Sequence, residues 1–259
     1  MNLEGLIVKQ EDKVLSITLN KPDVLNALDL ELKEGLLHAL EFAKLNPDIQ
    51  AVLISGAGRS FSSGGNIKNM DKSIPIDTFE YLGKTKELIL AMSHLEKPII
   101  AAVHGNIAGG GCCLALACDI IFAAEESKFF FTFSKVGLIP DNGGMFFLPR
   151  TIGLYRAKDI LFTAQPISAK DALDWGMVNR LYPKEQLFSK AMEYARKLSE
   201  GPSIAIGQIK KIANLAIVND LESVLEMERS NQVVLQTTID HKEGVNAFLE
   251  KRPAKYQGK

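Results

Sequence analysis

One carboxylate stands at the end of an apolar run in the segment GLIPDNGG, residues 137–144. The run over residues 136–139 resembles a strand and ends at Pro140, and Asp141 follows directly. A carboxylate with apolar neighbours can act as a general base that takes a proton from a substrate carbon. Aspartate is equally suited to a turn in which its carboxylate bonds to the local backbone. Both interpretations of Asp141 are open from the residues alone.

Two glycine-rich loops each follow an apolar run, SSGGN at 62–66 and AGGGC at 108–112, and the second leads directly into an apolar helical segment. The first N–H groups of a helix lack intrahelical partners and carry partial positive charge. Glycine lets a substrate oxygen come close to such groups. Two N–H groups from the two loops could form an oxyanion hole, although tight turns or close packing explain most glycines. Neither loop has the spacing of a nucleotide-phosphate loop.

The remaining reactive residue types indicate structure rather than chemistry. Cys112, Cys113 and Cys118 lie close together in an apolar segment without a Cys-x-x-Cys pattern or a nearby histidine, so we expect no metal site. We expect all three thiols to be reduced and buried. His104 ends an apolar run before a glycine, where a structural histidine is the expected role.

The order of the predicted elements is typical of an α/β fold. Apolar, strand-like runs alternate with segments of helical spacing, and such strands are usually covered on both faces of a sheet. Asp29 is a predicted N-cap of the first helix. The predicted strands are 13–20, 51–56, 97–105, 119–125 and 128–133, and the predicted helices cover about 30–43, about 76–95, the segment after the second glycine loop and most of the chain after about residue 155.

The last part of the chain is predicted to be a helical region. Ser168 with Asp171 indicates one helix start, and Asp240 with Glu243 resembles a capping box at another. We divide the chain into a core over 1–199 and a helical region over 200–259. The helical region has wide apolar faces, which favour packing on the core or on another subunit.

Composition limits the classes of function. The chain has 259 residues, and 30 Lys and Arg residues balance 31 Asp and Glu residues. This near-neutral charge gives no basic surface for nucleic acid or an anionic membrane. No apolar run is long enough to span a bilayer. The first residues, MNLEGLIVKQEDK, do not resemble a signal peptide, so we expect a cytoplasmic protein.

Six segments in the same order carry a resemblance that no single one of them would establish. They are LNKPDVLNAL (19–28), GAGRSFSSGGNI (56–67), KPIIAAVHGNIAGGGCCLALACDI (97–120), FSKVGLIPDNGG (133–144), ISAKDALDWGMVNRLYP (167–183) and EGVNAFLEKR (243–252). On these segments the chain resembles the enoyl-CoA hydratase/isomerase (crotonase) superfamily over nearly its full length.

The resemblance implies a fold, a ligand and an assembly. The expected fold is an α/β spiral of ββα repeats with a C-terminal α-helical trimerisation region. The expected partners are an acyl-CoA thioester as substrate and further copies of the chain, in a homotrimer or a dimer of trimers. It implies no cofactor and no metal, because coenzyme A enters as part of the substrate.

The resemblance also assigns roles to individual residues. The N–H groups of Ser63 and Gly110 are expected to hold the thioester oxygen, and Asp141 is expected to be the acid/base. The expected substrate-binding residues are Val24, Leu25, Ala27, Gly65, Asn66, Ile67, Gly109, Phe133 and Pro140.

The reaction follows from a departure from the family pattern. Hydratases of this family use two glutamates, and the matching positions here hold Cys113 and Phe133. Several isomerases of the family instead use an acidic group at the position of Asp141, so double-bond isomerisation is the expected activity. Three alternatives stay open: an atypical hydratase or hydrolase in which Asp141 activates water, a covalent role for Asp141, and a non-catalytic acyl-CoA-binding protein.

Overall fold

A seven-stranded sheet forms the centre of the computed structural model, which describes residues 2–65 and 74–259. The strands follow the spatial order β1-β2-β3-β4-β5-β7-β10, antiparallel from β1 to β3 and parallel from β3 to β10. A second sheet has the order β6-β8-β9. The strands are β1 (Asn2–Leu3), β2 (Leu6–Glu11), β3 (Val14–Leu19), β4 (Ala51–Gly56), β5 (Ile99–Val103), β6 (Asn106–Ala108), β7 (Ile120–Ala124), β8 (Lys128–Phe130), β9 (Ile167–Ser168) and β10 (Arg180–Tyr182).

Helices cover both faces of the large sheet. α1 packs against α2 and against β2 and β3, whereas α7 packs against β4, β5 and β7. The helices are α1 (Leu30–Leu45), α2 (Pro75–His94), α3 (Gly110–Leu116), α4 (Gly144–Ile152), α5 (Leu154–Thr163), α6 (Ala169–Asp174), α7 (Lys184–Ser199), α8 (Ser203–Ala216), α9 (Leu221–Gln236) and α10 (Ile239–Glu250).

The central parallel strands β4, β5 and β7 carry mainly apolar, buried residues because helices cover both faces of the sheet there. Ile17 and Ile54 are register partners whose side chains join the core that includes α1, α2 and α3. Leu53 and Ile100, also register partners, belong to the second core cluster together with Leu187 on α7. The mixed α/β architecture predicted from the alternation of apolar runs is therefore confirmed.

The predicted strand-like run before Pro140 is wrong. A 3-10 helix covers Thr132–Val136, and the chain then turns at Gly137, whose φ is +69°. Leu138 and Ile139 are exposed, at 50% and 77% of their full accessibility. The ladder of the small sheet ends at Phe130, so the apolar residues that follow have no strand to pair with.

Helix starts in the second half of the chain follow the predicted caps in one case only. Ser168 Oγ accepts a hydrogen bond from the N–H of Asp171 at 3.0 Å, as expected. The capping box at Asp240 and Glu243 is wrong, because Thr238 caps α10. The buried Asp240 carboxylate instead accepts hydrogen bonds from backbone N–H groups of the C-terminal segment, at Gln257 and Gly258.

Helices α8 to α10 form the C-terminal part of the described chain. They present many exposed apolar side chains, among them Leu221, Val233 and Phe248. The division into a core and an oligomerisation region stays a prediction. None of the described helices is both long enough and apolar enough to cross a membrane. The three cysteines are free and buried, as the sequence indicated.

Candidate active site

The loop before α1 is fixed by Asn26, a buried residue with a positive φ of 52°. Its Nδ2 donates to the carbonyl oxygens of Ala57 and Ser60, both at 2.9 Å. Its own carbonyl oxygen accepts a hydrogen bond from Ser62 Oγ at 2.7 Å. These bonds hold the loop after β3 against the first glycine-rich loop, although the two are about thirty positions apart in the chain.

The two glycine-rich loops touch at Gly64. Its φ is +79°, and a Cβ atom built there would lie 2.6 Å from the carbonyl oxygen of Ala108 and 2.7 Å from the nitrogen of Gly110. Only glycine allows both the conformation and this close approach. The N–H of Gly110, the first residue of α3, therefore lies directly beside the first loop.

The backbone amides near this contact differ in their availability. The N–H of Ser63 donates to the carbonyl oxygen of Leu25 at 2.9 Å, so this amide is already used. Within residues 2–65 and 74–259, the N–H groups of Gly65 and Gly110 donate no hydrogen bond. The N–H of Ser63, the predicted first oxyanion donor, is thus bonded within the protein, whereas the N–H of Gly65 in the same loop has no acceptor bonded to it among the described residues. The predicted role of Ser63 stays a prediction.

Asp141 lies beside the start of α3. A Cβ atom built on Gly110 would lie 3.4 Å from Asp141 Oδ1 and 2.6 Å from Asn142 Nδ2. The carboxylate is partly buried, and its Oδ1 accepts a hydrogen bond from Asn142 Nδ2 at 2.8 Å. The structure thus brings the candidate base and one candidate oxyanion donor together.

Asp141 also occupies a turn, because its carbonyl oxygen accepts the N–H of Gly144 at 2.8 Å. Asn142 and Gly143, the central residues of this turn, both have positive φ. Among the described residues, no backbone N–H donates to the Asp141 carboxylate, as an Asx-type turn would require. The backbone of Asp141 makes the turn and its side chain stays available for chemistry.

Cys113 and Phe133 close the neighbouring positions with apolar atoms. Cys113 Sγ lies 2.5 Å from a Cβ atom built on Gly144, so the thiol packs against the first turn of α4. The tip of the Phe133 ring lies 3.9 Å from a Cβ atom built on Gly109. Burial raises the pKa of the Cys113 thiol well above its usual value, and nearby Cys112 and Asp141 add to the increase. The thiol therefore keeps its proton.

A lysine lies in the protein interior near the candidate site. Lys33 of α1 is fully buried, and its Nζ lies 3.3 Å from the centroid of the Tyr81 ring. Its Nζ also donates to Thr85 Oγ1 on α2. Tyr81 in turn donates its hydroxyl proton to the carbonyl oxygen of Leu28 at 2.6 Å.

Two pKa shifts describe the polarity of this interior. Burial lowers the pKa of Lys33 to about 8, and the carboxylates of Asp141 and Asp29 oppose the decrease. Burial raises the pKa of Tyr81 to about 12, and the same two carboxylates add to the increase. The charge of Asp141 is therefore felt by both side chains.

Comparison with known proteins identifies the family. A profile of the enoyl-CoA hydratase/isomerase family matches residues 9–259. The chain belongs to this family.

Similar proteins within the enoyl-CoA hydratase/isomerase family include proteins named as isomerases and proteins named as hydratases. A 1,2-epoxyphenylacetyl-CoA isomerase of Escherichia coli is 37% identical, over 99% of this chain and 100% of that protein. A trans-2-decenoyl-[acyl-carrier-protein] isomerase of Streptococcus mutans is 31% identical, over 100% of both chains. The crystal structure of an enoyl-CoA hydratase from Polaromonas has a TM-score of 0.94 at 34% identity and covers 97% of this chain and 99% of that one. The predicted crotonase fold is confirmed.

The structure brings most of the predicted ligand-binding residues of this family member to one place. Leu25 and Ala27 lie in the loop held by Asn26, and Val24 in the same loop is 51% exposed, at the surface. Pro140 packs on the start of α4, where its Cβ is 2.9 Å from a Cβ atom built on Gly144. Asn66 and Ile67 lie outside the described residues, so their predicted roles stay predictions.

Three polar residues near the site, Asn26, Asn142 and Lys33, were missed by the sequence analysis. A signal existed for Lys33, which is followed at helical spacing by Leu36 and Leu37 and therefore lies on the apolar face of α1. No comparable signal marks the two asparagines, since asparagine is common in loops and turns.

Metal-ligating side chains do not cluster in the described part of this enzyme-family chain. Over residues 2–65 and 74–259, no group of three or more His, Cys, Asp or Glu side chains could hold a metal ion. The expectation that the reaction needs no cofactor beyond coenzyme A in the substrate stays a prediction.

Proposed function

We propose that this family member moves a carbon–carbon double bond in an acyl-CoA thioester. In this reaction Asp141 carries one proton between two substrate carbons. The N–H groups of Gly65 and Gly110 hold the thioester oxygen while it bears negative charge. The observation that carries the proposal is the position of the Asp141 carboxylate against Gly110, the first residue of α3, whose N–H donates no hydrogen bond to any part of the chain that the structure describes.

The oxyanion hole is supported by the contact of the two loops at Gly64. Removing a proton next to a thioester carbonyl places negative charge on the carbonyl oxygen. Donors that are fixed before the reaction stabilise this charge without reorganising, and loss of one such donor typically costs about 3–4 kcal/mol of transition-state stabilisation. The proposal assigns this role to Gly65 in place of Ser63, whose N–H is bonded to Leu25.

Isomerisation is favoured over hydration by the groups around the carboxylate. Splitting water across a double bond needs an acid and a base that position the water molecule. A protonated thiol, Cys113, and a phenyl ring, Phe133, stand at the two places where related hydratases carry glutamates. One carboxylate is enough for a proton shuttle, and the proposal assigns this role to Asp141.

The proton shuttle needs no net transfer of atoms. In a 2-enoyl thioester the double bond joins the α and β carbons. Asp141 removes a proton from the neighbouring γ carbon, and the electron pair moves to the thioester oxygen. The resulting dienolate takes a proton back from Asp141 at the α carbon, and exchange of the Asp141 carboxyl proton with solvent between the two transfers lets deuterium from heavy water enter the substrate. Asn142 bonds to Oδ1, so the proposal assigns the reacting role to Oδ2.

The acyl group and the assembly remain at the level of proposals. Two relatives named above are isomerases of a ring-containing and a ten-carbon acyl thioester, which makes both classes worth testing. The trimer or dimer of trimers and the cytoplasmic location stay predictions from the sequence.

The proposal is tested with Asp141→Asn, because asparagine keeps the shape and the hydrogen bond to Asn142 but cannot take a proton. The matched control is Asp159→Asn, an exposed aspartate on α5. Probes are trans-2-decenoyl-CoA and phenylacetyl-CoA in heavy water, with deuterium at the α and γ carbons measured by mass spectrometry. We expect deuterium exchange to fall by at least about 1000-fold in Asp141→Asn, as in other enzymes that lose a reacting group, and to be unchanged in the control.

Two results would contradict the proposal. Exchange at the wild-type rate in Asp141→Asn would remove Asp141 as the proton carrier. Incorporation of ¹⁸O from labelled water into the product would indicate hydration or hydrolysis in place of isomerisation.

A further inference from the structure

Lys33 is the buried cation that the proposed reaction leaves without a role. Its side chain has no accessible surface, and its Nζ contacts a hydroxyl, Thr85 Oγ1, and the face of the Tyr81 ring. Among the ion pairs of residues 2–65 and 74–259, none includes Lys33. A hydroxyl and an aromatic face are weak partners for a charge that has left water.

The fold alone gives no reason for a charge at this place. α1 packs on α2 through apolar residues such as Leu36, Leu40 and Leu88, and an apolar side chain of similar length would fill the volume of Lys33. Replacing buried charges by apolar residues of similar volume is often neutral or stabilising. Unpaired buried ionisable groups beside a cleft are for this reason candidates for function.

Contacts connect Lys33 with the reaction centre in three steps. The Tyr81 ring lies under the lysine, and the Tyr81 hydroxyl bonds to the carbonyl oxygen of Leu28. Leu28 Cδ1 lies 3.6 Å from a Cβ atom built on Gly110. The Asp141 carboxylate lies 3.4 Å from the same Cβ position. α2 thus forms one wall of the site, and Ile89, one turn after Thr85, reaches within 3.4 Å of a Cβ atom built on Gly143.

We propose that Lys33 is a positioning residue of the reaction, a fixed buried cation held by Thr85 and Tyr81 that keeps Asp141 charged when an acyl chain fills the site. This inference rests on the proposed role of Asp141. Lys33 acts through Asp141 and does not touch the substrate, because its side chain has no accessible surface.

The physical reason is the loss of water on substrate binding. An apolar acyl chain that covers a carboxylate removes its hydration, which disfavours the charged form that can accept a proton. A cation in the low-dielectric interior opposes this change, because its attraction is weakly screened there. As the proton moves, the negative charge passes from Asp141 to the thioester oxygen, so the site carries one negative charge throughout and Lys33 balances it.

The proposal predicts a dependence on pH. Lys33 contacts Tyr81 and Thr85 on α2, and the carboxylates that act on its charge are Asp29 at the start of its own helix and Asp141 on the loop before α4. The pKa of Lys33 is about 8, so the ammonium is present below this pH and lost above it. The rate of catalysis should therefore fall as the pH rises through about 8.

The test compares Lys33→Met and Lys33→Arg with a control, Lys86→Met, at an exposed lysine of α2 that faces solvent. The readouts are kcat and KM for trans-2-decenoyl-CoA between pH 6 and 10, and thermal unfolding. We expect Lys33→Met to lower kcat by about 10-fold or more at pH 7 with KM changed less than about 2-fold, and to lack the decrease near pH 8. Lys33→Arg should recover part of kcat, and Lys86→Met should match the wild type. Lys33→Met should also unfold at a higher temperature, since a buried charge is removed.

A second variant makes the test independent of how Lys33→Met folds. Thr85→Val removes the oxygen that accepts from Lys33, so the decrease in kcat should move to lower pH. A wild-type kcat and pH profile in Lys33→Met, or an unchanged profile in Thr85→Val, would overturn the inference. The two proposals fail separately: an active Asp141→Asn overturns the role of Asp141, whereas an inactive Asp141→Asn with a fully active Lys33→Met overturns only the role of Lys33.

Discussion

The two oxygens of the Asp141 carboxylate have unequal surroundings. Oδ1 accepts the Asn142 amide at 2.8 Å, and Asn142 is itself 4% exposed with a positive φ of 47°. The side-chain oxygen of Asn142 is buried and has no hydrogen-bond partner among the described residues. A buried amide with one unsatisfied oxygen is unfavourable for stability. The arrangement is therefore better explained by its effect on the carboxylate than by a contribution to folding.

Asn142→Gly tests this effect, because glycine accepts the positive φ and only the side chain is lost. A hydrogen bond to a charged group contributes about 1.5–3 kcal/mol, so we expect kcat to fall by about 10- to 100-fold. KM and thermal stability should change little. Steady-state kinetics on trans-2-decenoyl-CoA measure the first two, and an unchanged kcat would show that Asp141 needs no help from its neighbour.

At the scale of elements, the start of α3 is the part of the fold that the site needs most. Gly110 begins the helix with its N–H directed out of the helical hydrogen-bond pattern, and Gly64, Asp141 and Asn142 all pack around it. α3 is buried along its whole length, so the position of this N–H is fixed by the core. Rigid support of this kind is what a preorganised donor requires.

Gly110→Ala should separate the site from the fold. The added methyl group would lie 2.6 Å from Asn142 Nδ2 and 3.4 Å from Asp141 Oδ1, so the Asn142 amide must shift beside the carboxylate. Alanine keeps the backbone N–H, but the methyl group occupies the space between this donor and Asp141, so we expect kcat to fall by about 100-fold through misplacement of the reacting groups. The control is Gly83→Ala in α2, where a Cβ atom meets nothing within 4 Å. That variant should keep wild-type kinetics and gain about 0.5–1 kcal/mol in the free energy of unfolding, measured in urea. Full activity of Gly110→Ala would argue against the proposed oxyanion hole.

At the scale of the whole molecule, Lys210 of α8 connects the predicted helical region (200–259) with the predicted core (1–199). Its Nζ lies 2.8 Å from Asp119 Oδ2 and donates to the carbonyl oxygens of Met92 and Lys97 at 2.9 and 3.2 Å. The lysine side chain is 7% exposed. One side chain thereby connects α8 with the end of α2, with the loop before β5 and with the residue before β7.

Lys210→Met should destabilise the protein, because it removes the cation beside the Asp119 carboxylate, which then keeps the N–H of Ile99 as a donor, and removes the donor to two carbonyl oxygens. Breaking a buried ion pair from one side costs about 3 kcal/mol. The adjacent Lys211 is 56% exposed and lies 3.6 Å from Glu96, so Lys211→Met should cost less than about 0.5 kcal/mol. Unfolding in guanidinium chloride measures both. Equal stability of the two variants would mean that the Lys210 contacts do not hold the C-terminal helices to the core.

The sequence by itself determined the local elements and the chemical types at the site. Alternating apolar runs predicted the central strands, and Asp29 and Ser168 predicted two helix starts. These two features depend on neighbours a few residues away, so a short window of sequence contains the information. The acyl-thioester ligand was implied only by the resemblance of six segments, spread over the chain, to a known family.

Only the tertiary structure decided which groups are free and which are buried. The N–H of Ser63 donates to the carbonyl oxygen of Leu25, and the buried ammonium of Lys33 donates to Thr85 Oγ1. Each of these hydrogen bonds depends on a residue that lies far away in the chain. Hydrogen-bond pairing and desolvation are properties of the packed chain. A local pattern can therefore place an amide in a loop or a lysine on a helix, but it cannot show whether water or protein surrounds it.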